Sequence, residues 1–161
     1  YTIFKGENQM KKIPLTQGKF ALVDDEDFDW LNQWKWHYGG RGYAVRTVNH
    51  SEKIYMHRVL LKPSKGKETD HKNMNRLDNR KNNLRICDAR QNQLNTNPNS
   101  RNTSGYRNIY WNTGARKWCI YLRINKKNKF MGYFLNKIDA VRKYNKIVKD
   151  YYGEFARLNP I

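Results

Sequence analysis

The stretch from Thr69 to Asn95, TDHKNMNRLDNRKNNLRICDARQNQLN, decides how this part of the chain folds. It begins with Asp70 and His71, continues through a loop rich in Asn, and then carries the apolar run Leu84–Cys87. Asp88, followed three residues later by Gln, forms a capping-box pattern that opens a helix. We therefore predict a strand, a loop, a second strand and a helix within this stretch.

The polar residues of the stretch fit the requirements of phosphodiester cleavage. The reaction needs a base to activate water and a cation to stabilise the charge that develops on the phosphate. Mg²⁺ prefers oxygen ligands and is commonly held by one or two protein groups, so Asp70 with one Asn amide oxygen would suffice. His71 points to the other face of an extended segment and can serve as the base. The helix after Leu84–Cys87 would bring Asn92 back beside Asp70.

At these residues the stretch resembles the HNH nuclease family, whose motif is a ββα-metal finger. The order and spacing match at Asp70-His71, at Asn83 directly before the apolar run, and at Asn92 within RQNQLN. The resemblance implies that Asp70 and Asn92 bind Mg²⁺ or Mn²⁺. It also implies that His71 is the general base and that Asn83 holds the imidazole in orientation. In the phage and intron-encoded branch of the family the last metal ligand is commonly Asn, as it is here.

The resemblance extends upstream of the motif. IPLTQGKFALVDDEDFDWLNQWKWH and YMHRVLLKP are similar to the segment that precedes the motif in the phage and intron-encoded branch, so the similarity covers about Lys12 to Asn95. The sequence contains Cys87 and Cys119 and no other cysteine. It therefore lacks the paired-Cys zinc ribbons of some relatives, and we expect two reduced, partly buried thiols.

A structural interpretation of the same residues stays open. Asp-His pairs occur by chance, and Asn-rich loops usually supply turn hydrogen bonds and not metal ligands. We interpret His57 as a structural residue that bridges a helix to the finger. His37 and His50 are interpreted as ordinary strand or loop residues.

Aromatic strands dominate the region before the motif. Ile13 to Tyr55 is predicted as a meander of short strands and turns without a helix, in which Gly39, Gly40 and Gly42 permit a tight turn. The apolar spacing in YMHRVLLKP predicts a short helix at about residues 55–61.

A change of pattern after the motif indicates a second module. TNPNSRNTSG has no apolar periodicity, so we predict a linker over residues 96–104 between a nuclease domain at 1–95 and a second domain at 105–161. GYRNIYWN, RKWCIYLRI and KFMGYF predict three antiparallel strands. The apolar spacing is helical from Asn136 until Gly153, so one helix would cover one face of the sheet.

The second module resembles the plant ethylene-responsive-factor (APETALA-class) DNA-binding domain. The shared features are the Gly-Tyr-Arg opening, the Lys-Trp hairpin start, the Gly-aromatic-Phe third strand and the closing Ala-x-Leu-Asn. A sheet of this kind can lie in the DNA major groove, where Arg reads guanine edges and aromatic residues contact sugars or thymine methyl groups. The resemblance implies these DNA-binding residues: Arg107, Trp111, Arg116, Trp118 and Arg123, with Tyr110 and Tyr121 as weaker candidates. Tyr110 stands where the plant pattern has Arg, so the base sequence read in plants does not transfer.

The charge of the chain indicates a polyanionic partner. Its 32 Lys and Arg against 14 Asp and Glu give a formal charge of +18, so the protein would repel itself unless a polyanion is its normal partner, and nucleic acid is the leading candidate. Residues 101–161 hold 14 basic and 3 acidic residues, and residues 1–100 hold 18 and 11. We find no lipid-anchor motif, no clean amphipathic helix and no apolar run of membrane-spanning length. We therefore expect double-stranded DNA as the partner, no membrane and no small-molecule cofactor.

These observations together predict an α+β protein. An N-terminal β-meander and a ββα-metal HNH finger are followed by a three-stranded antiparallel sheet packed on one helix. The predicted function is that of a metal-dependent HNH DNA endonuclease of the homing or mobile-element type, cytoplasmic in a bacterial or phage-infected host cell, and a monomer or DNA-induced dimer. Two alternatives remain: a non-catalytic, sequence-specific DNA-binding regulator with a silent HNH scaffold, and an RNA-binding protein, since aromatic residues can also stack on bases.

Overall fold

The chain folds into two compact units, residues 1–92 and 93–161. The computed structural model describes residues 10–95, 102–124 and 127–161, without the side chains of Gln93 and Leu94. Small antiparallel sheets and a few helices make up both units, which confirms the predicted α+β class. The linker predicted at 96–104 falls largely on residues 96–101, which lie outside the described residues.

Within residues 10–95, the structure shows three small antiparallel sheets and three short α-helices. A two-stranded sheet joins β1 and β2, a three-stranded sheet has the order β3-β4-β5, and β6 pairs with β7. The bounds are β1 Met10–Pro14, β2 Phe20–Asp24, α1 Asp25–Leu31, β3 His37–Tyr38, β4 Ala44–Val48, β5 Glu52–Tyr55, α2 Met56–Leu61, β6 Glu68–His71, β7 Leu84–Cys87 and α3 Ala89–Leu94.

The prediction of a helix-free meander over residues 13–55 is wrong at α1. Within the region predicted as a meander, the acidic run from Asp24 to Asp29 places Asp25, Glu26 and Asp27 in the first turn of a helix, where carboxylates interact favourably with the helix dipole. Leu31 at the end of α1 is fully buried in the core of the unit, and its carbonyl accepts a hydrogen bond from the Trp36 indole at 2.8 Å.

Apolar side chains from β1, β2, α1, β4 and α2 form the core of the first unit. Its buried members are Ile13, Leu15, Ala21, Val23, Leu31, Trp36, Ala44 and Met56. The helix predicted at about 55–61 is confirmed as α2. A short parallel bridge between Leu22 and Asp78 attaches the loop of the β6-β7 hairpin to β2: Leu22 N–H donates to the Leu77 carbonyl, and Asn79 N–H to the Leu22 carbonyl, both at 2.8 Å. The loop is therefore fixed from outside the hairpin.

The second unit is a three-stranded antiparallel sheet covered by one helix, as the sequence predicts. Its sheet has the order β10-β9-β8, with β8 Ile109–Asn112, β9 Lys117–Ile124, β10 Lys127–Phe134 and α4 Lys137–Tyr152. The Asn136 side chain caps α4 by accepting from Ile138 N–H at 2.7 Å. Ala140, Val141, Tyr144 and Val148 of α4 pack on Ile109, Ile120, Leu122 and Ile124 of the sheet.

The helices that the structure describes are too short or too polar to cross a membrane.

Candidate active site

The β6-β7 hairpin and α3, residues 68–94, form a ββα finger whose strands carry different chemistry on their two faces. Asp70 lies opposite Arg85, and His71 lies opposite Leu84. Because side chains alternate along a strand, Glu68 and Asp70 share one face, which we call the carboxylate face. Thr69 and His71 share the other face, which we call the imidazole face. The structure therefore separates the acid from the imidazole, as the sequence predicts.

Asp70 is buried on the carboxylate face and forms an ion pair with Arg85. Nε and Nη2 of Arg85 both donate to Oδ2 of Asp70, at 2.9 and 2.7 Å. The side chains of both residues are largely buried, with 7% of Asp70 and 11% of Arg85 exposed. The sequence did not indicate this pair, because Arg85 belongs to an ordinary strand pattern and its partner is fifteen residues away.

The first turn of α3 brings Asn92 to the carboxylate face. The predicted capping box is confirmed: Gln91 N–H donates to Oδ1 of Asp88 at 2.8 Å, and Asp88 N–H donates to the Gln91 side-chain oxygen at 2.9 Å. With the helix start fixed in this way, the Asn92 amide donates to Oε2 of Glu68, two residues before Asp70. Glu68 is therefore a third oxygen-bearing side chain at this face, which sequence reasoning missed.

His71 is buried on the imidazole face against other rings. Its Nε2 lies 3.3 Å from Oδ1 of Asn79. The ring centroid lies 5.1 Å from that of His57 and 5.9 Å from that of Tyr43. We expected Asn83 to orient the imidazole, and the structure places Asn79 against the ring. The Asn-rich composition of the loop was the signal that could have indicated Asn79.

Asn83 organises the loop that carries Asn79. Its Oδ1 accepts from Asn73 N–H at 3.0 Å, and its Nδ2 donates to the Asp78 carbonyl at 2.7 Å. Asp78 in turn accepts from Nε and Nη2 of Arg80 at 2.8 and 2.7 Å and from the Asn73 amide at 2.8 Å. This network supports the position of Asn79 beside His71.

The imidazoles of His71 and of His57, which packs against it from α2, are both shifted toward the neutral form. Burial, together with His71 and Arg58, lowers the pKa of His57 to about 3. Burial also lowers the pKa of His71, although the hydrogen bond with Asn79 and the charge of Asp70 act in the opposite direction. A neutral imidazole can accept a proton, so the site favours the form of His71 that a general base requires. The Nδ1 atom of His57 is buried and has no hydrogen-bond partner in the described part of the chain.

The oxygen atoms on the carboxylate face are of the kind that hard divalent cations prefer as ligands. Glu68 and Asp70 carry carboxylates and Asn92 an amide, and oxygen ligands of this kind suit Mg²⁺ and Mn²⁺. No cluster of three or more His, Cys, Asp or Glu within residues 10–95, 102–124 and 127–161 is arranged to hold a metal ion. A site here would combine the carboxylate of Asp70 with the amide oxygen of Asn92, and a cation would compete with Arg85 for Asp70.

The second unit exposes a face of aromatic side chains on the side of its sheet opposite α4. Tyr110, Tyr121, Phe130 and Tyr133 are each between 40% and 47% exposed. Their ring centroids form a connected series, with 6.3 Å between Tyr110 and Tyr121, 5.5 Å between Tyr121 and Phe130, and 4.7 Å between Phe130 and Tyr133. We call this surface the aromatic face. Sequence reasoning did not single out Phe130 and Tyr133.

The five DNA-binding candidates of the second unit do not share one face. Arg123 is exposed two residues after Tyr121 on β9, so it lies on the same side of the sheet as the aromatic face. Trp118 and Trp111 lie opposite each other, with ring centroids 5.1 Å apart, and Trp118 packs against the core formed with α4. Arg116 is exposed in the turn before β9, and Arg107, half-buried, bonds Asn159 through its backbone N–H at 2.8 Å.

Comparison with known proteins gives one informative similarity. The chain is 29% identical over 154 residues to an uncharacterized HNH endonuclease of Acanthamoeba polyphaga mimivirus, and the alignment covers 90% of this chain and 77% of that protein. This similarity supports an HNH family for the chain. No family model matches the chain, and no solved structure matches it significantly. The ethylene-responsive-factor resemblance of the second unit finds no support in these comparisons and stays a prediction.

Proposed function

We propose that this protein is a metal-dependent HNH DNA endonuclease of the homing or mobile-element type. The observation that carries the proposal is the arrangement of the ββα finger, in which Asp70 and the Asn92 side chain meet one face while buried His71 occupies the other. The similarity to the mimivirus HNH endonuclease supports the same reaction class. The high positive charge supports DNA as the substrate.

His71 is the proposed general base. Oδ1 of an amide can only accept a hydrogen bond, so Nε2 of the neutral ring carries the hydrogen that faces Asn79. The lone pair of the neutral ring then lies at Nδ1, which would accept the proton from the attacking water. The loop network around Asp78 keeps Asn79, and through it the ring, in this orientation.

Asp70 and Asn92 are the proposed ligands of Mg²⁺ or Mn²⁺, with Glu68 beside them. When bound, the metal would supply positive charge to the phosphate and to the leaving 3′ oxygen. The NH₂ group of Asn92 donates a hydrogen bond to Glu68. The amide oxygen of Asn92 is therefore oriented away from Glu68. Because a single finger offers one base, one copy would nick one strand, and a double-strand break would need two copies or two encounters.

The second unit is proposed to select the DNA site. Its 101–161 segment has a net charge of +11, and the sheet presents Arg123 beside four exposed aromatic rings. Arg107, Trp111, Arg116 and Trp118 remain proposed contacts. Of these, Trp118 has the weakest support because it packs partly against the core.

The ion pair of Asp70 with Arg85 favours a second candidate function. With its carboxylate already neutralised by Arg85, the finger could serve as a scaffold in a non-catalytic, sequence-specific DNA-binding regulator. The two functions differ in one measurable property: the regulator binds DNA equally with and without divalent metal and never cleaves it.

Nicking of supercoiled plasmid tests the proposal. The protein should convert supercoiled to open-circular DNA with Mg²⁺ or Mn²⁺ and not with EDTA. His71→Asn should slow nicking by about 10²–10⁴-fold with DNA affinity nearly unchanged. His50→Asn is the matched control, because His50 is exposed and its left-handed backbone, φ 62°, suits Asn. Absence of nicking with every metal would favour the regulator.

A further inference from the structure

One side of the β3-β4-β5 sheet carries a cavity of about 240 Å³. Val45 lies opposite His37 on β3 and opposite Tyr55 on β5. Because of strand alternation, Tyr43 and Lys53 point to the same side as these three residues. The other side of the sheet packs on the core of the unit through Ala44 and Tyr38. We call the space lined by His37, Arg41, Tyr43, Lys53 and Tyr55 the β4 cavity.

Glycine keeps the β4 cavity open at the turn between β3 and β4. A Cβ at Gly39 would lie 3.0 Å from Cγ2 of Val45, so a larger residue would press on the cavity wall. Gly39 N–H donates to the Tyr43 carbonyl at 2.9 Å, and Gly42, with φ +82°, donates to the Gly39 carbonyl at 2.8 Å. This tight turn holds Arg41 at the cavity wall.

The β4 cavity is suited to an anion. Arg41 and Lys53 line it together with His37, and no Asp or Glu is among the lining residues that the structure describes. Arg76 adds positive charge nearby: its guanidinium lies 4.9 Å from the centroid of the Tyr43 ring, and its Nη1 donates to the Arg41 carbonyl. The charged residues of the lining and the neighbouring Arg76 are therefore all basic, and they focus an attractive potential on a phosphate.

Aromatic rings connect the β4 cavity to His71. The Tyr43 ring, which lines the cavity, has its centroid 4.8 Å from that of His57 and 5.9 Å from that of His71. Tyr55, on the same wall, lies 5.6 Å from His57. The Tyr43 ring therefore lies between the cavity and His71 within the first unit.

We propose that the β4 cavity binds a backbone phosphate of the DNA strand close to the bond that is cleaved. This inference rests on the proposed endonuclease function for the position of that bond. Arg41 and Lys53 contact the phosphate oxygens, and the Tyr43 and Tyr55 rings contact the adjoining sugar. The volume is below the range of about 300–1,000 Å³ typical of pockets for whole drug-sized ligands, so it fits a phosphate with part of its sugar. The subsite fixes the register of the strand relative to His71.

The first experiment measures DNA affinity in EDTA, where no cleavage occurs. Fluorescence anisotropy of a labelled duplex is recorded against salt for the full-length protein and for the double variant Arg41→Ala, Lys53→Ala. The double variant should bind about tenfold more weakly or worse. Its slope of log affinity against log salt should fall by about 1, the value for one lost phosphate contact. The control Lys19→Ala, Lys35→Ala removes the same charge from exposed positions outside the cavity.

The second experiment locates the phosphate. A single methylphosphonate, which is uncharged, replaces each phosphate in turn on both sides of the cleavage position mapped by product sequencing. One replacement close to that position should weaken wild-type binding and have no effect on the Arg41, Lys53 double variant. Inorganic phosphate at millimolar concentration should not compete, because binding needs the connected strand.

Three outcomes separate the ideas. Equal losses in the double variant and in the Lys19, Lys35 control would overturn the phosphate site, because only overall charge would matter. Competition by inorganic phosphate would overturn the assignment to DNA and leave a free-anion site. A third result is also informative: the double variant alone loses affinity, and the wild-type protein never nicks DNA. This result would refute the endonuclease function and support the phosphate site.

Discussion

Asp70 and Arg85 lie directly opposite each other on β6 and β7, and two nitrogens of Arg85 donate to one oxygen of Asp70. The carboxylate that we propose as a metal ligand is therefore neutralised by a side chain of the same finger. Burying an ion pair of this kind costs desolvation energy that can exceed the attraction between its charges, whereas removing one partner leaves an uncompensated buried charge. Arg85 can thus hold the finger folded without metal and exchange for the cation when DNA and metal bind.

Replacing Arg85 by Gln should make the stability of the finger depend on metal. The substitution leaves the buried carboxylate of Asp70 without its partner, which should cost about 3 kcal/mol or more in EDTA. Millimolar Mg²⁺ or Mn²⁺ should restore part of this loss, because a ligand that binds only the folded state stabilises it. Thermal unfolding followed by circular dichroism, with and without metal, measures both effects.

Arg80→Gln provides the matched control for Arg85→Gln. Arg80 makes a similar two-nitrogen ion pair, with Asp78 in the loop. Its loss should also destabilise the protein, and metal should not restore stability beyond the wild-type response. The same metal response in both variants would argue against a cation at Asp70.

Acid should destabilise the protein through His57. The pKa of His57 is about 3 in the folded protein, against an ordinary value of 6.5. The main cause is burial, which disfavours the charged ring, and His71 and Arg58 add to the effect. The rings of Tyr43 and Tyr55 pack around His57. The stabilising contribution is complete above pH 6.5 and declines as pH falls toward 3, where the unfolded chain binds a proton that the folded chain does not.

The size of this effect follows from the titration of the unfolded state. Between pH 7 and pH 5 the wild-type free energy of unfolding should fall by about 2 kcal/mol more than that of His57→Gln. Urea unfolding at the two pH values measures the difference, and the baseline cost of the substitution cancels. Parallel losses in the two proteins would show that His57 is not held neutral.

Asp78, the acidic residue of the β6-β7 loop, should contribute strongly to the stability of the fold. Its side chain is 3% exposed and accepts from both Arg80 and Asn73, and the Arg80 hydrogen bond lowers its pKa. Asp78→Asn removes the charge-assisted bonds and should cost about 1–3 kcal/mol. Asp139→Asn, in an exposed ion pair with Arg142, should change stability by less than about 0.5 kcal/mol. Urea unfolding compares the two variants.

Arg123→Ala should weaken DNA binding by the full-length protein if the aromatic face contacts the phosphate backbone or base edges. A phosphate contact predicts a uniform loss across DNA sequences and a salt slope reduced by about 1, whereas a base contact predicts a loss of about 1–3 kcal/mol at one base pair. Anisotropy titrations against salt and against mutated sites distinguish the two.

Arg142→Ala is the matched control for Arg123→Ala. Arg142 is an exposed Arg on α4, the helix that covers the other side of the sheet. Its removal subtracts the same charge from the second unit. Equal effects of the two substitutions would exclude a local role for the sheet surface.

Local patterns accounted for much of the fold. The capping box at Asp88 and the helix from Asn136 to Gly153 were correct because their hydrogen bonds join residues two to four positions apart, which a sequence pattern specifies directly. The helix α1 was missed because its acidic turn resembles a loop in composition. Its core contact through Leu31 and the ion pair of Asp27 with Lys81 come from distant parts of the chain.

The sequence by itself determined the alternation that places Asp70 and His71 on opposite faces, the helix start that returns Asn92 to the finger, and the excess positive charge. Only the tertiary structure decided that Arg85 neutralises Asp70, that Asn79 meets the His71 ring, and that Tyr43 and His57 surround it. The physical reason is that these contacts depend on strand register and on loop attachment to β2. Such long-range geometry is fixed by the packing of the whole unit and leaves no periodic trace in the sequence.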